Sequence, residues 1–128
     1  MKDRTVGLIR RRCWALCRKI VILRDSSTCQ WCSKIVFGSN CHVSHVVPRS
    51  AGLSYYYDPM NLKILCADCH INKWHRHPKI AEEWFKEKFP DRVTYLQEKK
   101  RETVKWYTSD WNEIEQGLIR KLKALQSA

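Results

Sequence analysis

No apolar stretch in the 128-residue chain approaches the ~18 residues needed to span a bilayer, which argues against a membrane-spanning helix. The basic segment beginning at Met1 lacks the apolar run and small-residue cleavage site of a secretory signal, so a cytoplasmic location is expected. No internal repeat and no low-complexity tract is present. Acidic side chains are scarce: 13 Asp and Glu stand against 24 Lys and Arg, giving a formal net charge of +11. With no tail to carry that excess, a polyanionic partner is expected. Charge alone does not separate nucleic acid from a membrane surface or a solvated basic face, so motifs must decide. A hydrophobic fraction of 44% with six Trp suffices for a modest core in one compact domain.

Seven cysteines is an odd count, poorly matched to a disulfide scaffold, and four of them form two C-x-x-C pairs. Cys29-Gln30-Trp31-Cys32 and Cys66-Ala67-Asp68-Cys69 read as two knuckles whose four thiolates suit one tetrahedral structural zinc. Such a site offsets the weakness of a small core by closing the long loop between the knuckles. That span exceeds the usual zinc-ribbon spacing, which points to a functional insertion. Cys13 and Cys17 are read as small core residues; Cys41 beside His42 also lies outside the set, with competition as a ligand its less favoured role.

Residues 1–24 place Val6, Ile9, Cys13, Cys17 and Ile20 on one helical face, with Arg10, Arg11, Arg12, Arg18 and Lys19 around the rest. This predicts a basic amphipathic helix, set either along a phosphate backbone or on the core with a solvated outer face. Short strands are expected at 43–47 and 62–65, with 49–59 between them as a loop. A short helix is expected from Cys66 to His75, ending near Pro78. The remainder reads as helices divided at Pro90 and at residues 108–110. Ser109 or Asp110 is the expected cap of the last helix, with Glu113 completing a capping box behind Asp110. Trp111, Ile114, Leu118, Leu122 and Leu125 form its apolar stripe.

The inserted span carries Cys41-His42-Val43-Ser44-His45-Val46-Val47-Pro48-Arg49, then Tyr57-Asp58-Pro59-Met60-Asn61-Leu62, leading into the second knuckle and His70. A His followed by an apolar pair and Pro, an Asn opening an apolar run, and a His directly after C-x-x-C resemble the signature of His-Asn-His (HNH) endonucleases. Within that superfamily the pattern is similar to phage recombination nucleases of the NinG (Rap) type. There it includes a Ser-His pair, an aromatic-Asp-Pro-x-Asn segment and a helical tail rich in Trp, Lys and Leu. Arg24-Asp25 ahead of Cys29 also fits that family's entry into the first knuckle.

The resemblance implies an α+β fold: a ββα-metal (His-Me finger) core with a four-cysteine zinc site, flanked by an N-terminal helix and C-terminal helices. It is expected as a single nuclease domain over 1–128, with a basic helix at 1–24, the zinc-stabilised core at 25–77 and a helical extension at 78–128. It also implies metal-dependent hydrolysis of DNA phosphodiester bonds, branched recombination intermediates such as junctions as substrate, and a bacterial host cell during phage infection as the setting.

Hydrolysis needs a deprotonated water and a cation to neutralise charge building on the phosphate. His45 is assigned as general base. Asn61 is to fix that imidazole through its amide or a backbone contact, and His70 is to bind the catalytic metal. Where most such enzymes have an Asp or His ligand just before the base, this chain has Ser44, a poor ligand. His42, two residues upstream on an extended strand, is the alternative to contact from Ser44, with Asp58 and His75 behind them. His75 and His77 otherwise read as surface residues. Arg49, Lys73 and Arg76, with Arg10, Arg11 and Arg12 on the first helix, are candidate DNA contacts, and Tyr55 to Tyr57 either stack on exposed bases or pack on the core. The catalytic metal is left open among Mg²⁺, Mn²⁺, Ni²⁺ and Zn²⁺. Cutting both strands of a symmetric junction would favour a homodimer. The competing reading is a non-catalytic, zinc-stabilised DNA-binding module, kept open by Ser44.

Overall fold

The computed structural model describes residues 4–101 and 105–128. It combines helices with one two-stranded sheet: α1 (Arg4–Arg24), β1 (His42–His45), α2 (Leu53–Tyr56), β2 (Leu62–Leu65), a π-helix (Cys69–His75), α3 (Pro78–Lys88), α4 (Pro90–Glu98) and α5 (Thr108–Ser127). None of the described helices is long and apolar enough to cross a membrane.

The expected stripe of α1 is its buried face. Ile9, Cys13, Cys17 and Ile20 are at most 3% exposed, and Val6 packs against the same cluster. Trp111 and Leu118 of α5 are also buried there, with Ile114 and Leu122 partly so, while Leu125 at the helix end is exposed. Burying side chains of this size stabilises by about 1.5–3 kcal/mol each, so the α1–α5 contact is a principal source of stability. The helix ends where Ser26 and Ser27 turn into the left-handed region at φ 54° and 50°. A non-glycine residue enters that region at a cost of about 1 kcal/mol. Arg24 and Asp25 hold the turn in place: Arg24 donates to the carbonyls of Pro59 and Leu62, and Asp25 accepts the Ile64 amide at 3.0 Å. The pair ahead of the first knuckle therefore ties α1 to β2.

The strands pair antiparallel in the register His42↔Leu65, Val43↔Ile64, Ser44↔Lys63 and His45↔Leu62. All four β2 residues are buried, including Lys63. β1 starts at His42 and stops at His45, two residues short of the expected end. Beyond it, the Asn61 side chain takes over pairing with the Val47 backbone. The expected loop 49–59 contains the short helix α2.

The helix before Pro78 ends at His75 as expected, and Pro78 also opens α3, as Pro90 opens α4. Proline is favoured in the first helical turn because the N–H it lacks has no partner there. The last helix starts at Thr108, so Asp110 sits at its third position and accepts the Tyr107 amide at 2.8 Å instead of being the cap. A second, smaller apolar cluster joins Ala51, Tyr55, Phe85 and Leu96, bringing α3 and α4 against the loop that follows β1.

Candidate active site

Cys29, Cys32, Cys66 and Cys69 converge, with all four sulfurs within 4.8 Å of one another. Tetrahedral thiolates around one ion lie about 3.8 Å apart, given metal–sulfur bonds of about 2.3 Å. Cys32 Sγ and Cys66 Sγ are 3.8 Å apart, so the donor set fits a metal ion. Local backbone bonds preset the knuckles. Gln30 N–H donates to Ile64 O at 2.9 Å, Ala67 N–H to Asn40 Oδ1 at 2.9 Å, and Cys69 N–H to Cys66 Sγ at 3.4 Å. Burial pushes the Cys29 thiol up, but amides of Cys32, Cys66 and Trp31 outweigh it and bring the thiol down to about 7. Cys13, Cys17 and Cys41 are buried outside this set.

Next to the second knuckle lies a cluster of imidazoles. The π-helix carries His70 and His75, and its widened turn brings residues five apart into line. In a regular α-helix, five residues would leave the two rings about 140° apart around the axis. Here His75 Nε2 lies 3.0 Å from His70 Nε2, and His42 Nδ1 lies 2.9 Å from His70 Nδ1. His42 Nε2 donates to the Ser39 carbonyl at 3.0 Å, which leaves a lone pair on Nδ1 in the neutral ring. Nitrogen ligands at right angles on an ion with bonds of about 2.1 Å sit about 3.0 Å apart, and the His42–His70 spacing matches. Burial, then the neighbouring His75, His42 and Lys63, lowers His70 to about 4, so it is neutral at physiological pH.

His45, His70 and His75 line one cleft of about 730 Å³, with Arg49 at its edge and Trp74 and Phe85 in its wall. His45 Nε2 donates to the Tyr56 carbonyl at 3.3 Å. A carbonyl only accepts, so the ring proton is on Nε2 and Nδ1 keeps its lone pair. Burial lowers the His45 pKa below the ordinary histidine value, only partly opposed by that hydrogen bond. Asn61, fully buried, bonds the backbone instead of the imidazole: its amide donates to Tyr55 O and Val47 O and accepts from Val47 N–H. It thereby ties the backbone at Val47 to that at Tyr55, next to His45 and to the Tyr56 carbonyl that His45 bonds.

The other predicted residues separate. Ser44 is 1% exposed and accepts from Lys63 Nζ at 2.9 Å, so its hydroxyl is already engaged. Asp58 is paired with Lys99 at 2.7 Å and accepts from Tyr95, which removes it from any ligand set here. His77 is exposed at the start of α3. Arg49 stacks over Tyr56 at 5.3 Å, Lys73 lies 5.5 Å from the Trp31 ring, and Arg76 is exposed at the end of the π-helix. Of the α1 cations, Arg12 is bound to Glu115 at 2.6 Å and Arg10 lies over Trp111, while Arg11 is exposed. The first two serve the α1–α5 contact. Tyr55 and Tyr57 are buried and pack on the core.

Sequence reasoning missed Lys63, whose ammonium sits 3.3 Å from the Trp74 ring with its pKa driven well below normal by burial. A lysine inside an apolar tetrapeptide gives no signal that it will be enclosed. It also ranks His75 behind the other candidates, because a helical period of 3.6 turns that side chain away from His70.

Residues 29–76 match the family model described as HNH endonuclease. The match spans both knuckles, the hairpin and the π-helix, less than half of the chain, and it supports the HNH superfamily for that segment. The mixed helices, two-stranded sheet and cysteine cluster are consistent with an α+β fold of that type. No curated protein and no solved structure matches the chain.

Proposed function

We propose that the protein is a metal-dependent DNA endonuclease in which His45 is the general base. One observation carries this reading: His45 and His70 line the same cleft, both neutral, with His45 Nδ1 left free by the bond from Nε2 to Tyr56 O. His45 Nδ1 takes a proton from water as the hydroxide attacks phosphorus, the P–O bond to the sugar breaks, and the departing sugar oxygen takes a proton from solvent. His42 Nδ1 and His70 Nδ1 would hold the divalent ion, which would supply charge neutralisation at the phosphate and leaving oxygen. Each ligand ring is oriented from behind, His42 by Ser39 O and His70 by His75, as metal-binding imidazoles require. His42 thus replaces the ligand missing at Ser44, and Asn61 positions the backbone that holds the base. The four cysteines hold a structural zinc, and Arg49, Arg76 and Arg11 contact phosphates. The finer reading, a NinG-like enzyme acting on branched DNA, rests on the resemblance of motifs.

The test is nicking of plasmid DNA with Mg²⁺, Mn²⁺ or Ni²⁺, followed by linear, nicked and four-way substrates. His45→Ala is expected to lower cleavage by about 10³-fold while retaining fold and DNA binding. Equal cleavage by parent and variant rejects His45 as the base. DNA binding without cleavage in the parent favours the non-catalytic module, the reading to which the engaged Ser44 hydroxyl points.

A further inference from the structure

We propose that Trp14 of α1 is a positioning residue for the general base, its indole face fixing the plane of the His45 ring. This rests on the nuclease reading and extends the site beyond the segment that matches the family model. The hydrogen bond to Tyr56 O anchors one ring atom but leaves the imidazole able to rotate about that direction. A flat surface against the ring removes this freedom. Trp14 supplies one at 5.5 Å between centroids and 10° between planes, and Tyr56 a second at 4.5 Å and 30°. Both lie within the range of offset stacking. Trp14 and Tyr56 also touch each other at 5.2 Å, so the three rings form a closed triangle. Nearby Tyr57 instead meets Trp14 and Trp111 edge-on, at 86° and 88°, and Tyr56 and Trp106 tilted, at 60° and 43°.

The experiment compares Trp14→Leu, which fills space without a stacking face, with Trp14→Phe, which restores one. Two readouts are used: single-turnover plasmid cleavage at saturating protein, and the NMR shift of the His45 Cε1 proton, which stacked rings move upfield. Trp14→Leu is expected to lower the cleavage rate about ten-fold with plasmid affinity unchanged, and Trp14→Phe to recover to within about three-fold of the parent. The His45 resonance is expected to move downfield in the Leu variant and stay near the parent position in the Phe variant. Equal rates for Leu and Phe, or an unmoved resonance, overturn the proposal. If Trp14→Leu does not fold, Tyr56→Leu against Tyr56→Phe tests the same triangle from its other side, with the same outcomes. A parent that cleaves no plasmid refutes the nuclease reading alone, and the resonance still decides whether Trp14 holds the ring.

Discussion

The cysteine cluster and the histidine cluster are neighbours in sequence, with Cys69 followed directly by His70, yet they are built on opposite plans. Four sulfurs converge on one point, three of the four cysteines are buried, and both knuckles are pinned by backbone bonds. The imidazoles instead meet in pairs: His70 offers one nitrogen to His42 and the other to His75, and His70 and His75 line an open cleft. Among the described residues, only the cysteines bring three or more ligand atoms together. A filled ligand set holds chain segments together, whereas two donors on one side leave positions for water and substrate. The proposed function thus assigns stability and chemistry to adjacent but separate sites.

The harshest break of this comparison is Cys66→Ser, expected to destabilise the protein by on the order of 5 kcal/mol and to lower its bound zinc. Unchanged thermal melting with full zinc content would contradict the closed-site assignment. His70→Ala should leave the melting temperature near that of the parent but weaken binding of the divalent ion by at least about 100-fold, measured by calorimetry. His42→Ala should cost more affinity than His75→Ala if, as proposed, the first is a ligand and the second its support. The reverse order would place the ion on the other face of His70. Asp58→Asn sharpens the boundary between sites. It removes the ion pair with Lys99, so we expect a loss of about 2 kcal/mol in urea denaturation and no change in metal affinity. The wild-type pair holds the Asp58 carboxyl low despite its burial, so its stabilisation is present at neutral pH and fades as acid protonates it. The smallest effect is on the pH profile. Burial lowers the His45 pKa, so the base stays neutral further into acid, and the acidic limb of the cleavage rate should lie below about 6.5. A limb at or above that value would show that the titrating group is not the enclosed imidazole.

The parts of this structure legible in the sequence are those governed by period and spacing. The apolar stripes of α1 and α5 and the two C-x-x-C pairs lie where the residue pattern puts them. Prolines are ambiguous at two boundaries, because the residue that ends one helix is also suited to the first turn of the next. The pattern presents the first-helix cations as a single basic face, but Glu115 and Trp111 draw Arg12 and Arg10 onto α5. What escapes the sequence altogether depends on contacts between distant segments. The Tyr56 carbonyl that orients His45 has no side-chain identity to read, and Trp14 reaches the site from a helix far upstream of it. Asn61 is recognisable by its company, but its hydrogen bonds run to the backbone around the base and not to the base itself.

The widened turn between His70 and His75 also governs what comes after it. A helix that accommodates one additional residue in a turn rotates everything downstream by about 100° relative to an unbroken one. Phe85 and Leu96, which wall the cleft, follow that turn in the chain. Deleting a single residue between the two histidines would therefore swing the cleft wall around in the same motion that separates the rings. Ligand geometry and groove shape share one mechanical adjustment, so variation in this segment must change them together.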